Sequence, residues 1–165
     1  MLRWARDYFG LARRAALELR ALDLKHESLR SACRLGAVKL SERRTGDFDP
    51  QAAIDELVDF ENALDGLRAP HTAIIDDAIE LLYGPRGRLG VAKLLGTRNA
   101  DVLCWRWLQL RRWREIARDL GCSVRWAQEI ETKTFDWMDA YGETHLREQN
   151  AVELDYYDDL KYNGG

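Results

Sequence analysis

The chain is 165 residues long, 46% hydrophobic and 32% charged, with a formal net charge of −3. That length builds a core without disulfide or metal staples; its three cysteines, Cys33, Cys104 and Cys122, form no CxxC pair and no cluster with the histidines, which sets aside a zinc site or a disulfide framework. No run approaches the roughly 18 apolar residues of a membrane span and the arginine-rich start is no signal-peptide core, so the expectation is a soluble protein of the bacterial cytoplasm with no membrane partner.

The net charge hides a segmented pattern. Residues 1–46 carry 11 Lys/Arg against 5 Asp/Glu, residues 47–82 carry 1 against 10, and residues 83–100 carry 4 against none. Residues 101–141 balance at 7 against 7, and residues 142–165 turn acidic at 2 against 6. Any basic face must therefore be local.

From Leu2 to Leu40 the periodicity is helical. Tyr8, Ala12, Ala15, Leu19, Leu22, His26, Leu29 and Cys33 alternate steps of four and three, a seam suited to helix packing. Homodimerisation through this N-terminal helix is one expectation. After the break at "SERRTGDFDP", Asp49 stands as an N-cap with Pro50 as first helical residue. An acidic helix then places Ile54, Leu57, Val58, Glu61 and Leu64 on one face and ends at Gly66. A second acidic helix begins near Pro70, turns Ile74, Ile75, Ala78, Leu81 and Leu82 inward, and stops at Gly84. Residues 1–82 thus form a helical arm.

Residues 83–99 hold most of "GPRGRLGVAKLLGTRNAD", whose glycines and basic residues read as a hinge with one helical turn at Val91–Leu95. The tail, 142–165, shows no sustained apolar face and reads as a fraying helix followed by disorder. Catalytic signatures fail: the glycine-rich stretch lacks the GK[ST] of a phosphate-binding loop, "HESLR" lacks the second histidine of a zincin, and no GxSxG occurs. The chain reads as a non-enzyme with no cofactor, no metal and no catalytic residues.

The informative stretch is "WREIARDLGCSVRWAQEI". A DNA-reading helix-turn-helix needs a small residue where its helices touch, a left-handed residue after the first helix and a cap on the second. Ala117, Gly121 and Ser123 stand at those places, and Ile116, Leu120, Cys122, Ala127 and Ile130 supply the core side. Facing solvent, Ser123, Arg125, Trp126, Gln128, Glu129, Thr132 and Lys133 form the candidate recognition surface. Arg86, Arg88, Lys93 and Arg98, with Arg111, Arg112 and Arg114, are the candidate phosphate contacts. Glu129 and Glu131 temper the second helix's charge. Trp126 beside the turn is the candidate exposed anchor, and Trp105, Trp107, Trp113 and Trp137 are expected in the core.

Trp107-Leu108, Leu110, Trp113, Ile116, Ala117 and Leu120, within residues 98–141, carry a resemblance. The segment resembles the region 4-type helix-turn-helix of sigma factors, and more closely the small phage- and prophage-encoded regulators of the ArpU/RinA-like group. The resemblance implies a sigma region 4-like unit at 100–141, with double-stranded DNA as partner, RNA polymerase as a second one and phage transcription regulation as function. The expected architecture is all-α: an N-terminal helical antiparallel arm followed by a C-terminal three-helix unit. Two alternatives stand beside it, a terminase small subunit-like DNA-packaging protein and a protein-interaction module acting on a host factor or RNA polymerase.

Overall fold

The computed structural model describes residues 3–41, 49–85 and 89–151, with side chains from Gly36 to Ser41 left aside. Among these residues every regular element is helical. The chain is an all-α protein, and no described helix is long and apolar enough to cross a membrane. α1 spans Trp4–Ser41 and α2 spans Pro50–Tyr83. Short helices follow, α3 (Gly90–Leu94) and α4 (Thr97–Leu103), the latter running into a π-helical turn at Cys104–Leu108. α5 (Trp113–Leu120), α6 (Val124–Tyr141) and a helix at 143–151, here α7, complete the order.

Asp49 caps α2 as its side chain suggests: the Gln51 N–H donates to Asp49 Oδ1 at 3.0 Å, and Pro50 opens the helix. The expected break between two acidic helices is absent, because α2 runs unbroken through Gly66 and Pro70. An interior proline normally clashes with the carbonyl four residues earlier and removes one hydrogen bond. Here that earlier residue is Gly66, and the helix continues across both positions.

The chain divides into two compact units, Leu17–Ala73 and the remainder. Within Leu17–Ala73, α1 and α2 run antiparallel. His26 Nε2 meets Glu61 Oε1 at 2.7 Å, Cys33 Sγ donates to the Ala53 carbonyl at 3.3 Å, and Arg68 pairs with Asp23. Lys25 Nζ lies 4.9 Å from the Phe60 ring centre. The seam read from α1 is the one used: Leu19, Leu22, His26, Leu29 and Cys33 are all half-buried. On α2 the inward face is Ala53, Leu57, Phe60 and Leu64, whereas Ile54 and Val58, expected inside with Glu61, are 45% and 48% exposed. A pair of helices needs only a narrow seam, and here that seam runs to one side of the expected face.

The other unit closes around Phe9, Leu81, Leu82, Val91, Leu103, Phe135, Met138 and Leu146. Its contributors lie far apart in sequence. The Trp4 indole donates to the Met138 carbonyl at 3.1 Å, and the Ala5 N–H donates to Asp139 Oδ1 at 2.9 Å, satisfying an orphan amide of the first turn of α1. The tail is not wholly loose. Leu146 is fully buried on α7, and Arg147 makes two 2.9 Å bonds to Asp77, whose other partner is the Tyr8 hydroxyl. Asn150, also buried, accepts from the Gly90 N–H at 3.1 Å and donates to the Glu80 carbonyl at 3.2 Å. The disorder expected of the last dozen residues lies outside the described residues.

The stretch read as a hinge is more ordered at its ends than its composition suggested. Gly84, Leu89, Gly90 and Val91 are buried, and the Leu89 N–H donates to the Tyr83 carbonyl at 2.6 Å. Gly84 and Gly90 have φ of 71° and 67°, and a Cβ on Gly90 would stand 2.5 Å from the Leu81 carbonyl oxygen. Both demand glycine, for conformation and for space. α3 begins here, one residue before the expected turn at Val91.

Candidate nucleic-acid interface

α5 and α6 are joined by three residues, each with a local reason for its conformation. Gly121 adopts φ 64°, ψ 36°. Its N–H donates to the Arg118 carbonyl at 3.1 Å, and the Cys122 N–H donates to the Ala117 carbonyl at 2.9 Å. This is a Schellman ending, which disposes of the last carbonyls of α5. Ser123 is extended, and its Oγ accepts from the Trp126 N–H at 3.1 Å, capping α6. At the other end of α5 the Arg112 N–H donates to Glu115 Oε2 at 3.0 Å.

A small core holds the helices together. Val102 of α4, Ile116 and Ala117 of α5, and Ala127 and Ile130 of α6 are buried in one cluster, with Leu120 and Cys122 half-buried against it. Ala117 is the small residue that lets α5 approach α6.

The π-helical turn after α4 supplies what the periodicity did not reveal. Wide i→i+5 bonding, with the Gln109 N–H on the Cys104 carbonyl at 3.0 Å, shifts the register of the side chains that follow. Leu110 then sits at φ 57°, the one described non-glycine residue in the left-handed region. Trp107 is turned to donate from Nε1 to Glu131 Oε1 at 2.7 Å and to meet Phe135 edge-on. Glu131 is consequently buried and does not reduce the charge of the outer face of α6.

Other acids of this region are engaged as well, while Asp119, Glu129 and Asp136 remain exposed. Asp101 accepts from the Tyr83 hydroxyl at 2.6 Å, Glu115 caps α5, Asp119 is held by Arg111 and Arg118, and Asp139 caps α1. The paired guanidiniums hold the Asp119 carboxyl below the usual carboxylate range, Arg111 contributing most. Bases, by contrast, stand outward: Lys93, Arg98, Arg112, Arg114, Arg118, Arg125 and Lys133 are all exposed. Within 101–141 five bases but only three acids are exposed, so a segment neutral by count is modestly basic by surface.

The candidate recognition residues fall as follows. Arg125, Glu129 and Lys133 occupy one row of α6 at steps of four, with Arg125 Nε 3.4 Å from Glu129 Oε1. Gln128 is exposed, and the Thr132 hydroxyl donates back to its carbonyl at 3.1 Å. Trp126 is 39% exposed, and Arg98 lies over its ring at 5.0 Å, bringing the start of α4 beside the first turn of α6. Arg111 is committed inward, paired with Asp119 and stacked over Trp105 at 4.8 Å. Arg112 and Arg114 are exposed on α5, and Lys93 on α3, while Arg86 and Arg88 lie outside the described residues. Arg118 was missed, although its place four residues after Arg114 on a short helix was signal enough. Arg106 stacks over Trp113 at 5.0 Å and serves packing.

No protein-family model matches this chain, and neither a curated protein nor a solved structure matches it.

Proposed function

We propose that this protein binds double-stranded DNA through the exposed face of α6 and regulates transcription in the manner of the phage-encoded, sigma region 4-like regulators that its sequence resembles. The observation that carries the reading is the surface around the Gly121–Ser123 turn, where Arg98, Arg112, Arg114, Arg118, Arg125 and Lys133 face outward while Glu115 and Glu131 are spent on a cap and an internal bond. Arg125, Gln128, Glu129 and Lys133 are the residues suited to base edges, and Thr132 flanks them. Arg98, held over Trp126, and Arg112, Arg114 and Arg118 suit the phosphate backbone. RNA polymerase is the second partner this reading implies. The protein acts by binding and carries out no catalysis.

An electrophoretic shift assay on fragments of the source genome at low salt tests the reading, with retarded fragments expected. Arg98→Ala weakens all fragments alike and lowers the salt slope by about 1, whereas Arg125→Ala costs about 1–3 kcal/mol and relaxes preference at one base position. Folded protein that retards no fragment at low salt would sink the proposal.

A further inference from the structure

The unit Leu17–Ala73 poses a packing problem that its two helices leave unsolved. Among its described residues only Phe60 and Leu64 are buried hydrophobics, while Leu17, Leu24 and Leu35 of α1 are 47%, 60% and 62% exposed. These leucines are not scattered. Leu17, Ala21, Leu24, Ser28, Ser31 and Leu35 succeed one another at alternating steps of four and three, which keeps them in one row along the helix. The seven residues of Asp, Glu, Lys or Arg type between Leu17 and Leu35 all fall outside that row. The row lies on the side of α1 away from Leu19, Leu22, His26, Leu29 and Cys33, the seam that α2 occupies. α1 therefore carries two uncharged faces, and among the described residues of this unit α2 covers one.

We infer that the second face is covered by the same face of a second copy of this chain, α1 against α1, running antiparallel. Charge selects both the occupant and the direction. In the antiparallel register that lays Leu24 on the partner's Leu35, Ser28 meets the partner's Ser31, and Glu27 flanks the partner's Arg34. Two-fold symmetry makes each contact twice. A parallel pairing would instead set Arg20 beside the partner's Lys25, like against like. Among the described residues neither Glu27 nor Arg34 is engaged within the chain, whereas their neighbours His26 and Arg30 are held by Glu61. A groove of about 340 Å³, lined by Asp23, His26, Glu27, Arg30, Ser31 and Arg34, runs beside the row and leaves room for the flanking side chains of the second copy. This dimer stands apart from DNA binding and holds whether or not α6 reads a duplex.

Sedimentation equilibrium of the full chain tests it, with a dimer expected. Leu24→Glu raises the dimer dissociation constant about 100-fold, because it buries a charge twice and removes two leucine contacts. Arg34→Glu weakens the dimer, and Glu27→Arg combined with Arg34→Glu restores it by exchanging the partners of each pair. Circular dichroism should be unchanged in all three, since the positions are exposed in the single chain. On the unaltered protein the melting temperature should rise with concentration. A monomer with a concentration-independent melt overturns the proposal, as does a dimer that Leu24→Glu leaves equally tight or a charge exchange no tighter than Arg34→Glu alone.

Discussion

A solvent-facing carboxylate at position 131 would leave the exposed side of α6 with more acids than bases. Bonded to the Trp107 indole, it is withdrawn from that face. Glu131→Ala should cost about 1–3 kcal/mol in urea denaturation, because the indole N–H loses its acceptor, and Glu131→Gln should cost little because its carbonyl can still accept. The inward turn of Glu131 was not legible in the sequence. It depends on which way Trp107 points, and that depends on a π-helical turn with no sequence signature of its own. Gly121 and Ser123 were legible for the opposite reason: their chemistry is local. No atom crowds a Cβ at Gly121, so its requirement is conformational alone. Gly121→Ala should therefore lower stability by about 1–2 kcal/mol in the same experiment, the cost of a left-handed residue with a side chain.

At the scale of elements, two corrections stand out. α2 continues through Pro70 against the local rule, and α7 docks through partners distant in sequence. Helical propensity and a single apolar residue, Leu146, could not announce α7, because most of its hold is polar: Arg147 on Asp77 and Asn150 on the ends of two elements. Truncation after Gly142 should thus lower the unfolding midpoint substantially and speed amide exchange at Gly90, whereas truncation after Ala151 removes none of these contacts. Exchange followed by mass spectrometry separates the two. The seam of α1 was legible in full, since a long helix repeats its pattern often enough to be read. The seam of α2 was offset, since Ile54 and Val58 are apolar yet lie outside it.

For the molecule as a whole, the ion pair between Arg147 and Asp77, with Tyr8 beside it, and the separate Tyr83–Asp101 bond make stability depend on pH. Hydrogen bonds from Arg147, then from Tyr8, hold the Asp77 carboxyl below its usual range against the opposing effect of burial. The unfolded carboxyl ionises near about pH 3.9, so this contribution is complete above that value and is lost as pH falls through the lower folded value. Urea midpoints should fall as pH drops below about 4, and Asp77→Asn should flatten that dependence. Burial, then bonding to Asp77 and Asp101, raises the Tyr8 and Tyr83 phenols. Their contribution is complete below about pH 10 and lost as pH rises further, so tyrosinate absorbance should appear late for these two and complete only with unfolding. The all-α class was readable from pattern alone. The basic surface was not, because equal numbers of acids and bases say nothing about which of them face inward. The bonds from Trp4 and Ala5 to residues 138 and 139 carry a consequence in time as well as in space. Synthesis delivers α1 first, yet the groups that cap its first turn and cover Phe9 leave the ribosome only after most of the chain has been made. The opening helix must wait with its aromatic residues uncovered until residues 138 and 139 have emerged, so its core closes late in folding.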